Sequence, residues 1–132
     1  MCSSDLLAAA RSLYPAIARW HRYLAEHRDP DHCGTLSIYH PWESGTDNSP
    51  RWDQTLRTIA AGPVPPYVRR DLTHVTDPSQ RPTNAEYDRY LWLVELLKSR
   101  RYDDAEIHRQ HPFLIKDALF SAIFAEIGRA HV

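Results

Sequence analysis

Between Leu7 and about His27 the apolar positions Leu7, Ala10, Leu13, Tyr14, Ile17, Ala18, Trp20 and Leu24 recur at intervals of three and four, which places them on one face of a helix. Pro15 lies inside that run without an N–H to donate, so the pattern predicts either a kink there or a helix start near Ser12. The string RDPDHCG ends the helix, and TLSIYH alternates enough for a short extended piece. A second helix is expected in SPRWDQTLRTIA, with Ser49 as N-cap and Pro50 at the first helical position. Residues 62–82 hold GPVPPY and DPSQRP, a long connection of the kind that is either functional or disordered. Thr83 and Glu86 then form a capping box that opens a helix to about Ser99, with Tyr87, Tyr90, Leu91, Val94 and Leu97 on its apolar face. A short helix over Asp103 to Gln110 and another from about Phe113 to Ala125 complete an all-α chain in which helices alternate with long polar loops.

Composition narrows the setting. At 132 residues, 42% hydrophobic and 25% charged, the chain has room for one domain with a real core. A net charge of -1 gives no electrostatic footprint for nucleic acid or an anionic membrane. No apolar run approaches the roughly 20 residues of a membrane-spanning helix, and no secretory leader opens the chain, so a soluble, cytoplasmic protein is expected. Cys2 and Cys33 are too few for a disulfide framework, and Cys33 reads as a free thiol. His27, Asp31, His32 and Cys33 cluster, but their spacing matches no zinc pattern, and neither metal nor cofactor is expected.

Both ends read differently from the middle. Back-translated as GAG ATC GGA AGA GCA CAC GTC TGA, the last seven residues give EIGRAHV and a stop, and the reverse complement read from a GTG start gives the first six, MCSSDL. That DNA string resembles a widely used sequencing adapter. The expectation is that residues 7–125 are a segment of a longer gene and that residues 1–6 and 126–132 are adapter translation. Genomic sequence that runs continuously through both tails contradicts it.

The densest chemistry lies in HPWESGTDNSPRWD, residues 40–53. Loops that only connect helices are built mostly from small polar residues, so Trp42 is informative: its broad apolar face suits stacking on a sugar ring. Glu43 and Asp47 add carboxyls, and Gly45 lets backbone approach closely. Carboxyls beside an aromatic wall suit glycoside hydrolysis, because a glycosidic oxygen leaves poorly unless a positioned acid protonates it. The same string also reads as a turn, with Asp47 or Asn48 making Asx-type hydrogen bonds. Trp20, Trp52 and Trp92 read as core, Asp53 as a helix-start charge, and His40 as either ligand or structural hydrogen-bonder. Arg81 alone reads as a solvated charge.

Taken with PPYVRRDLTHV, RPTNAEYDRYLWLV and YDDAEIHRQHPFLIKDALFSAIF, that string resembles the mannosylglycerate and glucosylglycerate hydrolases of glycoside hydrolase family 63, over nearly all of residues 7–125. The resemblance implies a toroid of six helix pairs, an (α/α)6 fold present here in part, with an active site lined by connecting loops and inverting hydrolysis of an α-glycosidic bond. It implies Asp47 as general acid, Trp42 and Gly45 as sugar-subsite residues, and Arg81 and Tyr87 as contacts to the glycerate carboxylate. Thr46 departs from the family pattern, which often has Met or Leu there.

The family's general base is a glutamate far beyond this chain's end, and an inverting pair must stand roughly 6.5–9.5 Å apart with a water between. The 132-residue polypeptide is therefore expected to be inactive by itself, and its helices to leave apolar faces exposed. Two other readings compete: a related toroid enzyme, trehalase-like or α-glucosidase-like, acting on a neutral glycoside, and a non-catalytic helical sugar-binding or interaction module.

Overall fold

The computed structural model describes residues 3–129. Among the described residues the chain is all-α apart from two short strands, and it forms two compact units. One joins the residues up to Ser37 with those from Lys116 onward; the other is Ile38–Ile115. Of the two end segments singled out from the sequence, residues 1–2 and 130–132 lie outside the described residues.

In the first unit, helix α1 spans Ser3–Arg28 with Pro15 inside it, so the helix starts at Ser3 and not near Ser12. Proline removes one ladder bond, and the long helical runs on either side outweigh that loss. The apolar stripe of α1 exists, but much of it is uncovered: Leu13, Ile17 and Trp20 are all exposed, and Leu24 is buried. Trp20, expected in the core, is 58% exposed: among the described residues it lines an open groove between α1 and α5 and is not enclosed by them. Helix α5 runs over Ala118–Arg129, starting five residues later than the expected Phe113. Asp117 fixes that start, its Oδ1 accepting from the Phe120 N–H (2.6 Å). The His21 ring stacks on Phe124 at 3.9 Å between centroids, and an apolar groove of about 140 Å³ runs between α1 and α5, lined by residues such as Ile17, Trp20, Phe120 and Ile123.

After α1 the chain reverses around Asp29, whose carboxylate accepts from the N–H groups of Cys33 (3.1 Å) and Gly34 (2.8 Å) and from the Lys116 ammonium (3.1 Å). Gly34 takes φ +81 there, a conformation that other residues adopt only with strain. Cys33 is an exposed free thiol, as its sequence context suggested. The extended TLSIYH piece reduces to strand β1, Ser37–Ile38, which pairs with β2, Ile115–Lys116.

The second unit carries most of the core: Ile38, Tyr39, Trp52, Leu93, Ile107 and Phe113 are each at most 3% exposed. The expected helix after Ser49 begins as a 3-10 turn, Pro50–Trp52, and continues as α2, Asp53–Thr58. Ser49 stands at the N-cap position with extended backbone but makes no side-chain cap bond, Pro50 having already supplied the helical φ. Helix α3 spans Asn84–Ser99 and opens with the expected box: the Glu86 carboxylate accepts from the Thr83 N–H (2.7 Å), and the Thr83 hydroxyl accepts from the Glu86 N–H (3.3 Å). Tyr90 and Leu93 are its buried residues; Tyr87, Leu91, Val94 and Leu97 are only partly covered, so the face is rotated from the one the periodicity marked. Trp92 is partly covered and lies over Gly62, where a Cβ would come within 2.5 Å of the indole. Helix α4, Asp104–Gln110, follows with Asp103 as N-cap. Among the described residues no helix is long and apolar enough to cross a membrane.

Candidate active site

The residues 40–53 fold into a chain of self-capping turns. His40 precedes a 3-10 turn, Pro41–Ser44, and accepts the Trp42 N–H on Nδ1 (3.1 Å). Its Nε2 lies 3.0 Å from the Tyr90 carbonyl, so Nε2 carries the proton and donates, and the ring is a neutral structural hydrogen-bonder rather than a ligand. Glu43, which the sequence left without a role, closes the turn: Oε2 accepts from the N–H groups of Tyr39 (2.6 Å) and His40 (3.2 Å). Gly45 ends it with φ +69, the left-handed conformation that follows such a turn.

Beyond Gly45 the loop is tied down from three sides. Ser44 Oγ donates to the Pro41 carbonyl (2.6 Å) and accepts from the Thr46 N–H (3.0 Å). Buried Trp52 donates from Nε1 to the Thr46 carbonyl (2.9 Å), and Thr46 Oγ1 accepts from Arg51 (2.7 Å). Of these bonds only the one from Arg51 needs the Thr46 hydroxyl; the bonds to Ser44 and Trp52 use the Thr46 backbone and are open to any side chain there. The Tyr90 hydroxyl reaches the Asp47 carbonyl at 3.3 Å. The backbone on either side of Asp47 is thus anchored, and the Asp47 side chain is exposed.

A cleft of about 200 Å³ opens at this point, and it gathers four of the five residues singled out from the sequence: Trp42, Asp47, Arg81 and Tyr87. Asn48, Asp71, Pro82 and Tyr90 complete its wall. Gly45 does not line it; its place is the turn that delivers Thr46 and Asp47 to the rim. The Trp42 ring lies 6.2 Å from Tyr87 and 6.0 Å from Tyr90, so the three rings form an aromatic part of the cleft wall. Asp47's carboxylate, Arg81's guanidinium and Tyr87's hydroxyl have no hydrogen-bond partner among the described residues. One acid, one cation and one phenol therefore converge with their bonding capacity unspent.

Three residues not singled out from the sequence, Arg69, Asp71 and Tyr67, complete the arrangement. Arg69 grips Asp71 with both arms of its guanidinium (Nε to Oδ1 2.8 Å, Nη2 to Oδ2 2.7 Å). It also donates to the Pro82 carbonyl (2.9 Å) and to Asn84 Oδ1 (3.1 Å), and lies 4.2 Å over the Tyr87 ring. The only sequence signal was the R-x-D spacing in PPYVRRDL, within the loop already marked as too long to be a plain connector. The neighbouring Tyr67 hydroxyl donates to Asp88 (2.6 Å) and its ring lies 5.3 Å from that of Tyr87.

Behind the cleft two imidazoles are buried. His111 Nε2 lies 2.9 Å from the Tyr39 carbonyl, and its Nδ1 is buried with no partner among the described residues, so a second proton there would find no acceptor among them. Burial first, then the Arg100 charge, pulls its pKa down to about 4. Burial likewise lowers that of His40, against the pull of the Tyr90 carbonyl, Glu43 and Asp47. Both rings bind protons less readily folded than unfolded, so stability is intact above the ordinary value of 6.5 and is lost as pH falls from there toward about 4. Denaturation midpoints should fall over that window in the parent chain, and the fall should shrink in His111→Gln; an equal fall in both chains contradicts the assignment.

Comparison with known proteins gives a consistent picture. The mannosylglycerate hydrolase MGH1-like glycoside hydrolase domain matches residues 5–130. A glucosylglycerate hydrolase of Mycolicibacterium hassiacum is 51% identical over 119 residues, which cover 85% of this chain and 27% of that protein. The mannosylglycerate hydrolase MGH1 of Selaginella moellendorffii is 45% identical over 117 residues, 89% of this chain and 24% of that protein. Among solved structures, a family 63 mannosylglycerate hydrolase of Thermus thermophilus in complex with Tris and D-glycerate aligns with a TM-score of 0.84 and 47% identity, covering 91% of this chain and 29% of the other. The chain thus spans about a quarter of the length of these relatives.

Proposed function

The chain belongs to the mannosylglycerate hydrolase MGH1-like glycoside hydrolase family, and from that membership we propose that it is a segment of an inverting α-glycoside hydrolase that releases glycerate from glucosylglycerate or mannosylglycerate. The observation that carries this reading is the cleft shared by Trp42, Asp47, Arg81 and Tyr87. Relatives 51% and 45% identical are named for hydrolysis of these two compounds, and a solved relative holds D-glycerate.

In this mechanism the sugar stacks against the Trp42 side of the cleft. Asp47, protonated, donates to the glycosidic oxygen as the bond to the sugar's anomeric carbon breaks, so the leaving group departs as an alcohol rather than an alkoxide. A water attacks the opposite face, losing its proton to a carboxylate base that belongs to the rest of the enzyme. Arg81 and Tyr87 hold the glycerate carboxylate, the guanidinium through charge-assisted bonds and the phenol as a further donor. The apolar faces left open on α1 and α5 are where further helices of the toroid pack.

Arg81 tests the substrate class. In the full-length enzyme, Arg81→Ala should raise KM for the glycosyl-glycerate by about 10- to 100-fold, the worth of a charge-assisted hydrogen bond. KM for a neutral glycoside of the same sugar should move by less than about threefold. Equal effects on both substrates remove the glycerate assignment and favour an enzyme of neutral glycosides.

A further inference from the structure

Arg69 and Arg81 border the same tyrosine, yet their surroundings are opposite. Arg69 is heavily engaged: its side chain is 10% exposed and each of its three nitrogens has an acceptor, two of the bonds going to Asp71. Arg81 is exposed and unbonded among the described residues, and it shares the cleft wall with Asp71. The cleft therefore contains a carboxylate that could serve as an internal substitute for an anionic ligand, beside the cation of its wall that is left to bind such a ligand.

We propose that Arg69 is a positioning residue that sequesters the Asp71 carboxylate, so that Arg81 stays available to the carboxylate of the ligand. This rests on the reading of Arg81 as the anchor of the substrate's anionic end. A carboxylate already gripped at both oxygens by one guanidinium has little left to offer a second. Remove Arg69, and Asp71 is an uncompensated charge whose nearest remaining cation in the cleft wall is Arg81; the two pair, and a ligand carboxylate must then compete with an internal one. The field around Asp71 agrees: Arg69 is the main influence holding its pKa below the usual carboxylate value, and Arg81 adds a smaller pull in the same direction. Arg69 has a second, geometric effect, since its bond to the Pro82 carbonyl fixes the residue next to Arg81 while its stack on the Tyr87 ring fixes the phenol.

The two effects separate in a double-mutant cycle read by D-glycerate binding to the full-length enzyme, with glycerol as the neutral control and ligand-observed NMR as the readout. Arg69→Met keeps an apolar stem over Tyr87 and should weaken D-glycerate about tenfold. Asp71→Asn, nearly isosteric and still able to accept from Arg69, should tighten it about threefold by leaving Arg69 uncompensated beside the cleft. Arg69→Met combined with Asp71→Asn should recover binding to within about threefold of the parent, because no carboxylate is left to quench Arg81. A merely structural role for the pair predicts the reverse: loss in Asp71→Asn and no recovery in the double variant, and either result overturns the proposal. The Arg81→Ala arm keeps the two readings apart. If that variant binds D-glycerate as the parent does, or the parent does not bind it, the anionic-end reading fails and this inference falls with it. If Arg81→Ala loses binding while the cycle shows no recovery, the Arg69 inference alone is wrong.

Discussion

Replacing Asp47 by Asn in the full-length enzyme is expected to slow hydrolysis of the glycosyl-glycerate by about 10²- to 10⁴-fold, the usual worth of a positioned general acid. Asparagine fills the same space, and the Asp47 backbone is anchored through the Thr46 carbonyl and Tyr90 independently of the side chain, so the variant should fold and bind substrate normally. The loss should be confined to kcat. It should also depend on the leaving group: a glycosyl fluoride, which departs without protonation, should be hydrolysed by Asp47→Asn at close to the parent rate. A variant equally slow on the fluoride would mean that Asp47 does something other than donate a proton, and an undiminished rate on the natural substrate would remove it from catalysis. The 132-residue chain itself should be inactive on either compound, since both need an attacking water activated across the ring and the carboxylate base of this mechanism belongs to the rest of the enzyme.

The second large effect concerns the scaffold under that loop. Phe113 is fully buried and meets Trp52 edge-on, with centroids 5.9 Å apart; Trp52 in turn holds the Thr46 carbonyl next to Asp47. Phe113→Ala should cost about 3–5 kcal/mol, as truncation of a buried aromatic generally does when the surroundings cannot close the cavity. Urea denaturation followed by tryptophan fluorescence measures it, and Phe113→Leu, which retains most of the volume, should cost less than half as much. A loss below about 1 kcal/mol in Phe113→Ala would show that the site can collapse around the missing ring. In the full-length enzyme the same change should lower kcat as well, because the Thr46 anchor would loosen; unaltered kcat would show that Asp47 does not depend on this support.

Much of this was legible in the residues. The capping box at Thr83 and Glu86 and the proline after Ser49 are local devices, each settled by a few neighbouring atoms, and the helix start at Asn84 follows from the first of them. The end of the chain misled because periodicity cannot say whether Phe113 opens a helix or buries itself as extended chain. Burial of Phe113 in one unit and the Asp117 cap four residues later decided against the helix. Trp20 failed as a core residue for a related reason: a helical stripe shows which side of a helix is apolar but not what covers it. Glu43 could not be assigned because its partners, the Tyr39 and His40 N–H groups, exist as a target only once the turn has closed.

By itself, then, the sequence determined the all-α class, the helices whose ends carry their own caps, and the identity of four residues that share one cleft, since these depend on short-range chemistry or on a long distinctive string. Only the tertiary structure decided that Gly45 shapes a turn rather than lining the cleft, that Glu43 and His40 are spent on backbone hydrogen bonds, and that Asp71 enters the wall with Arg69 clamped to it. For His40 and Arg69 the outcome depends on groups that meet across 15 to 50 positions of chain, as Arg69 meets Asn84 and His40 meets the Tyr90 carbonyl, and a bond's worth at that range is fixed by packing and burial that no local pattern encodes; Glu43 and Gly45 act within a single turn, whose closure the pattern of residues did not announce.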